Sequence, residues 1–138
     1  MIKKILVGER VRKICGSFAF IEHRFLRDGF FTDLNHLELL FYFFLVLVSD
    51  RCGVSYYSFD KICGFLGVDI DAYIEARNAL IDKDLIAFDG TIFQVLSLPD
   101  KPRLNNPVIL KAQEDMERSD PATMRQILRN AFGNNHDR

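Results

Sequence analysis

Hydrophobic positions fall along the chain in blocks whose spacing changes from one block to the next. The first strong block opens at Asn35, where an Asn cap followed three residues later by Glu38 has the form of a capping box. LELLFYFFLVLV follows, a helix pattern that is apolar on every side. Such a helix must be covered on every side. Either it is the central helix of a small domain, or part of it packs on another chain. Ser49-Asp50-Arg51-Cys52-Gly53 stops it, with Gly53 as the left-handed residue. A second helix is expected from Ser58, its N-cap, through FDKICGFL, with Ile62, Phe65 and Leu66 on one face and Gly67 at its end. Asp69 caps a third, IDAYIEARNALIDKD, in which Ile70, Tyr73, Ile74, Ala76 and Leu80 face inward at spacings of three and four.

The period then changes. Leu85 to Phe88 and Thr91 to Leu96 read as short strands around Asp89-Gly90, a strong local hairpin signal. Pro99, Pro102 and Pro107, with Asn105 and Asn106, mark a linker. Beyond it Val108 to Arg118 has a helical pattern. Asp120-Pro121 opens a last helix, a cap followed by proline at the first helical position, with Met124, Ile127, Leu128 and Ala131 as its stripe and Gly133 at its close. A helix this short is marginal alone and needs a surface, in its own domain or on a partner. Upstream, residues 18–31 fit two readings: a helical face of Phe18, Ile21 and Phe25, or a tight turn at Arg27-Asp28-Gly29 between extended segments. The organisation expected is a basic N-terminal arm (1–17) with a strand around Ile5 to Val7, a domain (18–98), a linker (99–107) and a C-terminal helical extension (108–138).

Length and composition narrow the class. A chain of 138 residues, 49% hydrophobic and 12% aromatic, suits one small domain with tails and is too apolar to be disordered throughout. Its longest apolar run, Leu39 to Val48, is ten residues, about half of what a bilayer crossing needs, so no membrane is expected. Met1 to Lys4 is basic, but no sustained apolar stretch with a cleavage site follows, so no secretory signal is expected. Cys15, Cys52 and Cys63 are an odd count without a close pair, and read as reduced thiols of a cytoplasmic protein, the latter two as small buried hydrophobes. His23, His36 and His136 are scattered, and neither a zinc spacing, a nucleophile pattern nor a glycine-rich phosphate loop is present. Neither an enzyme nor a metal or other cofactor is expected.

Charge changes the picture more. Residues 1–27 hold seven basic side chains against two acids, residues 28–100 four against twelve, and residues 101–138 seven against five. An acidic centre lies between two basic ends. Charge runs are usually solvated faces; the alternative is an arm that touches a phosphate backbone.

The stretch GVSYYSFDKICGFLGVDIDAYIEARNALIDKDLI, Gly53 to Ile86, resembles the helix-turn-helix core of winged-helix domains in bacterial plasmid and phage replication initiators and related regulators. The likeness rests on Gly53, Ser55, Tyr56 and Ser58 before the second helix, Leu66-Gly67-Val68 as the turn, and Leu85-Ile86 leading into the wing, and it extends over roughly residues 20–98. It implies a mainly α fold with a small β-hairpin, an α+β winged helix-turn-helix with extensions at both ends. It also implies association with double-stranded DNA in replication, transcription or mobile-element regulation.

One departure bears on function. The first turns of the third helix, which in DNA-reading members enter the major groove, here carry Asp69, Asp71 and Glu75, and the wing carries Asp89. DNA contacts are therefore expected mainly from Lys3, Lys4, Arg10, Arg12 and Lys13 of the arm, with Arg24, Arg27, Arg51 and Lys61, and only Arg77 from the third helix. The alternative is a protein-interaction module without direct DNA reading. It would form a homodimer through Phe41, Phe43, Phe44 and Leu47, and dock a protein partner through the C-terminal helix.

Overall fold

A computed structural model describes residues 2–102 and 120–136, and it is a mixed α+β structure with a small antiparallel sheet. In chain order the elements are a short helix α1 (Arg24–Arg27), α2 (His36–Val48), β1 (Val54–Ser55), α3 (Phe59–Leu66), α4 (Ile70–Asp82), β2 (Ile86–Phe88), β3 (Phe93–Val95) and α5 (Pro121–His136). None of the described helices is long and apolar enough to cross a membrane.

The capping box at the start of α2 forms: the Glu38 backbone N–H donates to Asn35 Oδ1 at 2.8 Å, and the Asn35 N–H donates to Glu38 Oε1 at 3.3 Å. Glu38 also accepts from Lys83 Nζ at 3.0 Å, and that ammonium donates to the Asp33 carbonyl at 2.7 Å. The cap of α2 is thereby tied to the end of α4. The all-round apolarity of α2 is largely absorbed inside the molecule. Phe41, Tyr42, Leu45 and Val46 are buried, with Tyr42 stacked on Phe25 at 4.9 Å and Phe41 5.5 Å from Tyr73 and 5.9 Å from Phe93. Ile70, Tyr73, Ile74, Ala76 and Leu80 of α4 supply the facing layer, as their spacing predicts.

Several expectations need correction. The sheet has three strands in the order β1-β3-β2, not two: Val54 pairs with Gln94 and Ser55 with Phe93. Two residues carry too little alternation to register as a strand in the sequence, and it is pairing with β3 that makes them one. Ser58 stands at the N-cap of α3 in extended conformation, but its side chain makes no capping bond. Phe65 does not face inward with Ile62; it is exposed. Cys52 is exposed and Cys63 only half-buried. Residues 2–21 are exposed and contain one 3-10 turn, Gly8–Arg10, with no strand at Ile5 to Val7. The 18–31 stretch forms the four-residue α1 and a turn at Gly29, which bury Phe25 and Phe30.

At the C-terminus Asp120 caps α5 as its sequence predicts, accepting from the N–H groups of Ala122 and Thr123. The helix runs through Gly133 instead of closing there. Of its expected apolar stripe, Ile127 and Leu128 are exposed, and the side chains of Met124 and Ala131 lie outside the described residues. The helical pattern from Val108 to Arg118, and most of the linker, also lie outside them.

Candidate nucleic-acid interface

Of the ten basic residues singled out from the sequence, eight have exposed side chains: Lys3, Lys4, Arg10, Arg12, Lys13, Arg27, Arg51 and Lys61. The five arm cations make no ion pair or side-chain hydrogen bond with another described residue. Large apolar side chains stand in solvent between and beside them, Ile5, Leu6, Val7 and Val11 between and Ile14 just after Lys13. With respect to the described residues the arm is therefore an uncommitted surface, cationic and apolar together.

Two of the ten are not available. Arg24 is half-buried and committed to structure: its guanidinium donates to the carbonyls of Leu98 and Pro99 at 3.0 and 2.7 Å and pairs with Glu22 and Asp28. Its role is to fasten the chain after β3 to α1. Arg77 is fully buried, at 0% exposure, although it lies on α4 where the sequence placed a DNA contact. Its guanidinium lies 5.5 Å from the Tyr73 ring centroid and 5.3 Å from that of Phe88. It pairs with the Asp120 carboxylate, donates to Thr123 Oγ1 at 3.2 Å, and donates to Asn78 Oδ1 through Nε and Nη2. Spacing on α4 cannot reveal this burial, because the cover comes from a helix more than forty residues later.

That cover extends along α4 and onto α3. Gln126 donates to Asp71 at 2.8 Å and Arg129 pairs with the same carboxylate. The hydrogen bond from Gln126, joined by the charge of Arg129, holds the Asp71 carboxyl below its ordinary pKa. Arg125 pairs with Asp60 at 3.3 Å and lies 5.0 Å from the Phe59 ring. Asp69 is spent on its own helix, accepting from the Ala72 N–H at 2.8 Å. The turn between β2 and β3 is self-satisfied too: Asp89 Oδ1 accepts from the N–H groups of Ile92 and Thr91 at 2.7 and 2.8 Å, which lowers its pKa. Asp71 of α4 and Asp60 of α3 thus meet arginines of the same chain. Gln126 and Arg129 could be found in the sequence only as polar residues on the expected outer side of the last helix.

Among the expected dimer residues, Phe41 is at the centre of the core and cannot meet another chain. Phe43 is half-buried among Phe25, Phe31 and Tyr42. Phe44 is half-buried with its ring 5.4 Å from Phe65. Leu47 is 72% exposed, and Leu40, seven positions earlier on the same face, is exposed as well.

Where the arm joins the body, a cavity of about 790 Å³ opens between residues 17–22, the end of α2, the 49–53 loop and the end of β3. Arg51, Phe18 and Phe20 line it. No cluster of three or more His, Cys, Asp or Glu suited to a metal occurs among the described residues. No family model, no curated protein and no solved structure matches this chain.

Proposed function

We propose that the chain is a winged-helix protein that associates with double-stranded DNA through its basic N-terminal arm, with α4 withheld from the groove. The order helix, strand, helix, helix, hairpin over residues 36–95 supports the winged-helix reading. The observation that carries the DNA reading is the arm: Lys3, Lys4, Arg10, Arg12 and Lys13 all stand in solvent, unpaired with any described residue, while Arg77 is buried. Free cations on an extended segment can follow a phosphate backbone and release its counterions, a mode that needs no base contacts. The exposed apolar side chains between them suit an arm lying in the minor groove.

A salt series tests the reading. Affinity for duplex DNA is expected to fall steeply with salt, and neutralising Arg10, Arg12 and Lys13 to reduce the log–log slope by roughly 0.9 for each phosphate that no longer meets a cation. Failure to bind duplex at about 50 mM salt, where phosphate binding is strong, ends the reading.

A second reading, self-association, is favoured by one specific feature. Leu40 and Leu47 remain exposed on one face of α2, beside the exposed Phe65 ring that touches Phe44. Self-complementary apolar patches of this kind form isologous dimers.

A further inference from the structure

The geometry points to the α3–α4 face as a docking site for an acid-capped, arginine-bearing helix, a site that this chain fills reversibly with its own residues 120–129. The receptor side is built and specific. Arg77 stands between Tyr73 and Phe88, with Asn78 Oδ1 accepting from Nε and Nη2, so that Nη1 and Nη2 are left to receive a carboxylate and a hydroxyl. Asp120 supplies the carboxylate and Thr123 the hydroxyl, and Thr123 Oγ1 donates back to Asp120 at 2.7 Å. Farther along, Asp71 and Asp60 receive Gln126, Arg129 and Arg125. The ligand is thus a helix with Asp at the N-cap, Thr at the third position, and polar or basic residues at the fifth, sixth and ninth.

Reversibility follows from how the contact is made. A helix that belongs to a core buries its apolar stripe. Among its described side chains, this one leaves Ile127 and Leu128 at 55% and 54% exposure, and the apolar side chain it buries is the small Ala122. Its outer ion pairs lie between side chains about half exposed or more, a class that contributes little. Among the described side chains, attachment therefore concentrates in the Arg77–Asp120–Thr123 cluster. When α5 lifts away, both charges of that cluster regain water, so opening leaves no charge stranded in the interior. Among the described residues, Ala122 is the one residue of this segment in the hydrophobic core built from α2, α4 and the sheet.

The inference goes beyond the DNA reading and does not depend on it, so its test contains no DNA. A fluorescent peptide of residues 118–138 is titrated against the full-length protein and against full-length Asp120→Ala/Arg129→Ala, whose own helix is weakened while the receptor side is intact. A tethered segment competes at an effective concentration of millimolar order, so the wild-type chain is expected to ignore the peptide at about 10 µM while the variant binds it at least about tenfold more tightly. The same peptide carrying Asp120→Ala is expected not to bind. Equal binding to both proteins, no binding to the variant, or indifference to the peptide's Asp120 each overturns the proposal. Hydrogen exchange on the unmodified chain is an independent check. Amides of residues 124–130 are expected to exchange well before those of α2 and of the buried face of α4, and exchange of all of them together would mean that α5 is an integral part of the fold.

Discussion

Arg77 and Asp120, 43 positions apart, form an ion pair in which neither side chain reaches solvent, at 0% and 2% exposure. The only basic residue in the expected reading helix before Lys83 is thus consumed inside the molecule. The consequences for the two partners differ. Arg77→Ala also removes the group filling the space between Tyr73 and Phe88, a loss that lifting of α5 does not relieve, and it is expected to cost about 3 kcal/mol. Asp120→Ala is expected to cost less, about 1–2 kcal/mol, because α5 can lift away and let water reach Arg77. Urea unfolding at unchanged m-value measures both. Equal losses would show that the helix cannot leave.

Attachment of α5 is expected to weaken in acid. The folded-state pKa of Asp71 is depressed, first by its hydrogen bond from Gln126. A depressed carboxyl stabilises the docked state above its unfolded pKa of about 3.9, and that stabilisation is lost as pH falls through the lower, folded value. An NMR titration is expected to place the Asp71 midpoint below about 3.9, with the amides of Gln126 and Arg129 shifting in the same step. A midpoint at or above that value would refute the contact.

Gly53→Ala is expected to destabilise the sheet. Gly53 has φ +84°, and a Cβ there would stand 2.5 Å from the Val95 carbonyl oxygen, in the pairing where Val95 N–H donates to Gly53 O at 2.8 Å. The left-handed backbone costs an L side chain about 1 kcal/mol or more before that clash is counted. A thermal midpoint within error of the wild type would show that the loop can move without cost.

The three thiols should separate by rate. Cys15 and Cys52 are exposed, whereas burial, with the carboxylates of Asp60 and Asp69, pushes the Cys63 thiol up. Alkylation of the native protein near neutral pH, followed by mass spectrometry, should show two fast sites and one slow one. Early modification of Cys63 would contradict its placement on α3.

Leu47→Glu is expected to leave the fold intact, since the side chain is already in solvent, whereas Phe41→Glu should abolish folding. If α2 mediates self-association, light scattering will show a dimer of the wild-type chain that Leu47→Glu converts to a folded monomer. A wild-type chain already monomeric at tens of micromolar removes that reading.

Local chemistry made much of this molecule legible. The Asn35–Glu38 box, the Asp69 and Asp120 caps, the spacing of Ile70, Tyr73, Ile74, Ala76 and Leu80, and the Asp89-Gly90 turn lie where the sequence pattern puts them. Each depends on residues within a turn or two of one another, and backbone geometry alone imposes those relationships. Partners distant in the chain lack such a signal. Val54–Ser55 became a strand by pairing with β3, Phe41 became core and Leu47 surface on one uniformly apolar helix, and Arg77 passed from candidate DNA contact to buried ion pair beneath α5. Periodicity states which residues share a face, but burial and charge pairing depend on what arrives over that face, and for α4 it arrives only when the chain returns at Asp120.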